Sequence, residues 1–530
     1  MKVKMSAQGG SASGGKEYLN KLAPLNHLGF QNNIMFDKKL KNYRKTKLEA
    51  YLTGVIFYVV FLSGFLIWGN AQAACTGSSP TWTAADCSNT EVAACITAAS
   101  SGDTINIPAG ECTWTSGITI PDAKKITLNG AGAQSTVISH GNITAISMGT
   151  SGSRITEMGF IQTTGLCIEV KGTGWRIDHN QFTNTSGTSQ YTIIANGTDI
   201  EVTAAGLIDN NDFVQGRIDV EGMGTFAKNS ANWVKPSVLG TQDAVYIEDN
   251  IFYKTVSSGG NVIDSNRANS YVARYNYVNG TTIFEFHSLQ SDNERSGRNW
   301  EIYGNAFNAS SYTYRMLSIR GGTGVIFGNT YSGANTDYTL TFDNVRSYTS
   351  LPIMGLCDGS SYVDGNLDST GWPCRDQIGR GADVSLWDPV TENPSPTQAS
   401  QPAYVWLNRK GAAIAGAAVV NNCGDHIKAD RDYYVEGASF NGTSGVGCGT
   451  LASRPDTCTT GVGYWATDQS CTDLTGMVGV DPETPISGTL YKCTATDTWT
   501  SYYTPYTYPH PLREASDIVA PASPTGLSVN

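Results

Sequence analysis

The sequence predicts an all-β solenoid, a right-handed parallel β-helix, on three observations. The first is composition: 58 glycines and 26 tyrosines, with abundant Thr, Ser and Asn, outweigh the strong helix formers. The second is a short recurring pattern: an apolar residue, two variable residues, Asn, one variable residue, then an aromatic or apolar residue. It reads Ile177-Asp-His-Asn180-Gln-Phe182, Ile208-Asp-Asn-Asn211-Asp-Phe213 and Ile247-Glu-Asp-Asn250-Ile-Phe252. It continues as Ala273-Arg-Tyr-Asn276-Tyr-Val278, Ile302-Tyr-Gly-Asn305-Ala-Phe307 and Ile326-Phe-Gly-Asn329-Thr-Tyr331, with earlier copies at Ile126 and, degenerate, at Ile155. The third is spacing, for the intervals between fourth positions are 29, 22, 31, 39, 26, 29 and 24. A floor near 22 with irregular excesses is what stacked coils with corner insertions produce. Equivalent residues then stack, Ile and Phe as apolar ladders inside. Asn takes the corner, where it bonds to the coil above and tolerates the left-handed backbone of a sharp bend.

Residues 1–73 read as an export leader: a basic run from Lys38 to Lys47, an apolar block from Tyr51 to Trp68, then Ala71-Gln-Ala73, whose small residues suit a signal peptidase. Cleavage after Ala73 leaves a mature chain with no stable membrane partner; the competing readings are an uncleaved anchor and lipidation at Cys75. Residues 74–331 carry the coils. Ser88 and Glu91 form a capping-box pattern ahead of a short amphipathic helix to Ala99, which covers the open first coil. Gly102-Asp-Thr-Ile-Asn-Ile-Pro-Ala-Gly110 and Ile118 to Ile120 are the first strands. Residues 332–513 form a Cys-rich continuation or cap, and residues 514–530 a linker-like tail. All 12 cysteines follow Ala73, an even number that fits disulfides in an oxidising compartment. With no CxxC pair and no His at ligand spacing, a zinc site is not expected.

The helix cap, the Gly102-to-Gly110 strand, Lys124-Lys-Ile-Thr-Leu-Asn-Gly-Ala-Gly132 and the stacked coils together resemble the pectate-lyase-like right-handed β-helix superfamily, over roughly Cys75 to Tyr331. Lyases of that superfamily use calcium to neutralise a uronate carboxylate while Arg or Lys removes the neighbouring proton. Trp175-Arg-Ile-Asp178-His179 is similar to the W-I-D-H segment of pectate lyases with Arg176 inserted, and Gly216-Arg-Ile-Asp219 loosely matches the calcium-ligand strand after it. The R-x-P-x-x-R element that carries the base is missing.

Stacking the copies puts Thr156, Asp178, Asp209, Glu248, Arg274 and Tyr303 in one outward column. Neighbouring coils lie about 4.8 Å apart, so three successive acids there need a positive partner. Calcium on Asp178, Asp209 and Glu248, with Asp219 as a further ligand, is one solution; a solvated acidic face with Arg274 as counter-ion is the other. A second cluster gathers Glu285, His287, Arg295, Arg298, Arg315 and Arg320, residue types that clamp an anion and exchange a proton near neutral pH. Trp233, Trp300, Tyr312, Tyr314, Trp406, Trp465 and Trp499 are candidate sugar platforms or core anchors.

A net charge of -11 argues against nucleic acid as a partner, since phosphate binding needs clustered Lys and Arg. The expected partner is a polysaccharide. The expected activity is lysis of an acidic glycan, with Arg274 or Arg298 as base or carboxylate clamp, Arg320 beside them and His287 as proton donor. A paired-carboxylate hydrolase is a variant, and a non-catalytic adhesive stalk is the rival.

Overall fold

The computed structural model describes residues 75–150, 152–188, 190–197, 204–222, 238–255, 261–266, 269–281, 283–287, 297–343, 377–379, 387–388, 393–394, 400–420 and 427–513. The expected leader and tail, Cys357, Cys374, Cys423, Trp233 and Arg295 lie outside these residues. Among the described residues no helix is long and apolar enough to cross a membrane.

From Thr104–Ile107 onward the chain visits three parallel sheets in turn: Thr104–Ile107 in sheet 1, Gly110–Trp114 in sheet 2, Ile118–Ile120 in sheet 3, then Thr127–Gly130 back in sheet 1. Among the described residues the sheets hold 13, 11 and 10 strands. Register follows the repeat. Ile155, Ile177, Ile208, Ile247, Ala273, Ile302 and Ile326 pair in succession in sheet 1, and Phe160, Phe182, Phe213 and Phe252 do so in sheet 2. Those four rings stack at 5.1, 5.0 and 4.7 Å. Sheet 3 adds Ile146, Ile168, Ile193, Ile218, Ile263, Phe284, Leu317 and Leu340, so all three inner faces meet in one apolar core. Each such side chain stabilises the fold by about 1.5–3 kcal/mol relative to exposure.

The corner asparagines form a buried ladder. Asn250 is representative: its amide donates to Ile208 O (2.8 Å), Glu248 O (3.0 Å) and Asn276 Oδ1 (3.1 Å), and its Oδ1 accepts from the backbone N–H of Asn211 at 3.0 Å. The ladder runs from Asn180 to Asn408, the last belonging to a further copy, Val405-Trp-Leu-Asn408, set apart by a long insertion. The left-handed residue is the one before each ladder Asn: His179, Asn210, Asp249 and Tyr275 have φ of 53, 52, 56 and 57°. The Asn itself serves the hydrogen bonds, and its neighbour makes the bend.

The helix Asn89–Ala98 caps the first coil and buries Val92, Cys95 and Ile96. Ser88 Oγ accepts from Glu91 N–H at 3.5 Å, but Ser88 N–H donates to Asp86, so Glu91 does not complete the capping box. Disulfides Cys75–Cys95 and Cys87–Cys112 pin this cap, and Cys448–Cys471 and Cys458–Cys493 brace the C-terminal part. Cys167 departs from the all-disulfide expectation: it is a free, buried thiol 3.1 Å from His140 Nε2.

Coiling continues past Tyr331 to Tyr433–Val435 in sheet 1. A separate four-stranded sheet follows (Val446–Gly449, Gly463–Ala466, Thr489–Ala495, Thr498–Tyr503). With the segment to Arg513 it lies on the outer face of sheet 1. Trp465, Leu490 and Tyr503 there share a second apolar cluster with Leu207, Tyr246, Val272, Val325 and Phe327. From Trp175 onward sheet 1 is thereby buried on both faces, which is why its strands there read as continuous apolar runs such as Val245-Tyr-Ile247 and Val325-Ile-Phe327.

Candidate functional site

The eight residues singled out in the sequence divide between two faces. Asp178, Asp209, Glu248 and Arg274 do stack in register on the outer face of sheet 1, one rung apart. That face is covered from Trp175 onward, and these three acids are matched by arginines, while Glu301 further along is held by the Gly240 N–H and the Tyr503 hydroxyl. Arg154 grips Asp178 with two bonds of 2.7 and 2.6 Å, Arg176 grips Asp209 at 2.9 and 2.8 Å, and Arg274 Nη2 lies 2.6 Å from Glu248. Arg176, the residue that sets this segment apart from the pectate-lyase pattern, is thus the counter-ion of the next rung. Arg513 reaches back from the C-terminal segment to Asp249 at 2.6 Å. Burial raises the Asp178 carboxyl, yet Arg154, His179 and Arg176 outweigh it and hold it at about 2; Asp209, more deeply buried, is pushed up to about 6 against Arg176.

Guanidinium groups therefore do here what calcium was expected to do. Arg274 itself is 0% exposed and donates to Tyr303 Oη (2.9 Å), Tyr506 O (2.8 Å) and Thr507 O (2.9 Å). It has no route to a polymer, so its expected role as base or clamp gives way to holding the C-terminal segment on sheet 1. Arg298 is likewise buried, at the corner leaving sheet 3, next to Gly297, whose N–H donates to His287 O at 3.1 Å.

Asp219, His287 and Arg320 come together on the outer face of sheet 3. There the inward positions Ile218, Ile263 and Phe284 set Asp219, Asp264 and Glu285 outward on three successive strands, Ile218–Glu221, Asn261–Asn266 and Ile283–Phe286. Asn261 ties two of them: its amide donates to Asp264 Oδ2 at 2.9 Å and to Glu285 Oε2. His287 Nδ1 lies 2.6 Å from Asp264 Oδ1, and its Nε2 lies 3.7 Å from Glu285 Oε1. Arg217 pairs with Asp264 at 2.5 Å while lying over the Tyr191 ring, Arg320 pairs with Glu285 at 2.6 Å, and Arg315 pairs with Asp343.

Asp219 is the odd member. It is 0% exposed, and no N–H or alcohol donates to either carboxylate oxygen; the side chain it shares a hydrogen bond with is another carboxyl, Glu221. Burial first, then repulsion from Asp264, pushes its carboxyl well above the usual range; burial also raises Asp264 and Glu285 against Arg217 and Arg320. Asp264, Glu285 and His287 each offer a ligand atom within 4.8 Å of the others, with Asp219 one rung along.

No family model matches the chain, and no curated protein matches it in sequence. One solved structure is similar. It is an alginate lyase from Paenibacillus sp. str. FPU-7, 16% identical, aligned over 48% of this chain and 98% of that one with a TM-score of 0.27.

Asp264, Asn261 and Lys254 escaped the sequence reading. Lys254 Nζ donates to the Asn261 carbonyl at 2.8 Å, behind the amide that bridges the two carboxylates, and burial with Arg217 nearby lowers it to about 7. A signal for the acids exists: Ile218-Asp-Val, Ile263-Asp-Ser and Phe284-Glu-Phe are a second recurring pattern, one per coil. Of the expected aromatic platforms, Trp300, Trp406 and Trp465 are core, whereas Tyr312 and Tyr314 are exposed.

Proposed function

We propose that this chain is an exported, right-handed parallel β-helix that acts on an acidic polysaccharide by β-elimination, with its reacting groups on the outer face of sheet 3. The observation that carries the reading is the converging trio Asp264, Glu285 and His287, with the buried Asp219 carboxyl one rung along and reached by no N–H donor. On this face Asp219, Glu221, Asp264, Glu285 and Asp343 meet three guanidiniums, those of Arg217, Arg315 and Arg320. The balance is negative, so an anionic sugar needs a further positive charge to settle there.

Asp219, Asp264 and Glu285 fit a hard divalent cation such as calcium, because they are oxygen donors on adjacent rungs and one of them is reached by no N–H donor. When bound, such an ion supplies charge withdrawal from a uronate carboxylate, which acidifies the neighbouring C–H. The chain's own residues do the rest. Arg320 and Arg217, at the edges of the cluster, orient the carboxylate by charge-assisted hydrogen bonds. His287, 14% exposed, moves the proton. Asn261, backed by Lys254, holds the two carboxylates in place. The four disulfides among the described residues support an oxidising destination, in keeping with export.

A second reading has a specific observation behind it. Asp219, whose carboxyl burial and Asp264 push upward, resembles beside Asp264 the acid and base arrangement of a glycoside hydrolase. One experiment separates the two: acidic polysaccharides are incubated with the protein, with calcium or with chelator, and both the ultraviolet absorbance of unsaturated ends and new reducing ends are followed. Elimination gives both signals with calcium dependence, and His287→Ala lowers the rate by about 10²–10⁴-fold. Reducing ends without unsaturation replace the lyase by the hydrolase; neither signal on any glycan overturns both in favour of a non-catalytic protein.

A further inference from the structure

Beyond the charged cluster, sheet 3 carries a group of aromatic rings that the reaction does not use. Tyr312 is 60% exposed and Tyr314 40% exposed, on or just before the strand Thr313–Ile319. Tyr338, on the next strand Thr336–Asp343, meets Tyr314 edge to face with centroids 5.3 Å apart. Tyr312 Oη donates to Asp337 at 3.0 Å, so its ring is fixed while its face stays open. Arg315 pairs in register with Tyr338 and sits 5.7 Å from the Tyr314 ring, its guanidinium on Asp343. The remaining large apolar side chains of these two strands, Met316, Leu317, Ile319, Leu340 and Phe342, are all buried.

Resting on the reading above, we propose that Tyr312, Tyr314 and Tyr338, with Arg315, form a glycan subsite that stacks a sugar ring of the same acidic chain away from the reacting groups. Tyr312 and Tyr314 leave ring surface open to solvent, the first tied through its hydroxyl to Asp337 and the second braced edge to face by the partly buried Tyr338. A pyranose, with an apolar C–H face and polar rim, is complementary to such a ring, and a uronate adds a carboxylate for Arg315. The Glu285 rung continues through Ser318 to Thr341 on these same two strands. The platform therefore lies about 5 to 10 Å across strands from Glu285, displaced further along them, within reach of one extended glycan.

The test uses uronate oligomers of graded length, oligogalacturonates and oligomannuronates, on the full chain, Tyr314→Ala, Tyr314→Trp and the Tyr312→Ala/Tyr338→Ala double variant. The expected result is a kcat/KM loss of about 3- to 30-fold confined to long oligomers, with short ones unchanged and Tyr314→Trp close to the parent. Equal loss on short and long oligomers, or no loss on long ones, overturns the subsite. If no probe is turned over, calorimetric binding of the long oligomers decides. Binding that Tyr314→Ala weakens keeps the subsite while the lyase reading falls; binding unaffected by the substitutions, or absent in the parent, overturns the subsite.

Discussion

The outer faces of sheets 1 and 3 start from the same material, acids placed one per coil beside arginines, and end in opposite states. On sheet 1 Asp178, Asp209, Glu248 and Asp249 each meet a guanidinium, and the C-terminal segment covers the last three pairs while Arg154 stays 19% exposed at the end of the column. On sheet 3 the acids crowd one another, Asp219 meets no guanidinium at ion-pair distance, and His287 and Arg320 keep contact with solvent. Matched, dry charge fixes one packing arrangement; mismatched, half-open charge keeps electrostatic capacity for a ligand. Stability should therefore concentrate in the first face and function in the second.

The largest effect expected from breaking this comparison is on sheet 1. Arg274→Ala leaves Glu248 buried without its counter-ion, and chemical denaturation should show a loss of about 3–5 kcal/mol. Next is His510, whose N–H donates to Glu248 at 3.0 Å and whose ring burial lowers it from 6.5 to about 4. The folded state binds fewer protons there than the unfolded chain, so this contribution is complete above pH 6.5 and is lost as pH falls through about 4. Asp209, raised to about 6, titrates in the opposite sense in the same window, so the readout is the difference between parent and His510→Phe. That variant should remove about 2–3 kcal/mol of acid sensitivity.

Asn250→Ala tests the corner ladder that both faces depend on. It leaves the Asn211 N–H and the Ile208 carbonyl without their partner and should cost about 1–3 kcal/mol by the same assay. The smallest effect has the opposite sign. Asp219→Asn removes a buried acid crowded by Asp264 and Glu221, so it should raise stability by about 0.5–2 kcal/mol while abolishing any calcium response. A destabilised Asp219→Asn would place sheet 3 in the same class as sheet 1 and remove the contrast.

Much of the coil was legible because stacking is local and repetitive. Ile at the first repeat position and Phe at the sixth follow a two-residue alternation, and every coil must bury them again. The outward column from Asp178 to Arg274 was legible for the same reason, since register follows from the inward residues. What covers that column was not. Arg513 and Tyr506 are hundreds of residues distant in sequence, and no periodicity relates them to Glu248. The continuous apolar runs of sheet 1 were the available sign that its outer face is covered. On sheet 3, irregular insertions separate Asp219 from Asp264, so the acids align only once the third strand of each coil is placed.

By itself, then, the sequence determined the winding of the chain, its inner ladders, the capping helix and the outward direction of the acids, because each of these is settled within one coil and its neighbour. Only the tertiary structure decided which acids are neutralised and which are left in want of a counter-ion. That depends on where the segment ending at Arg513 comes to lie, and a contact made across so long a stretch of chain leaves no local pattern from which it can be read.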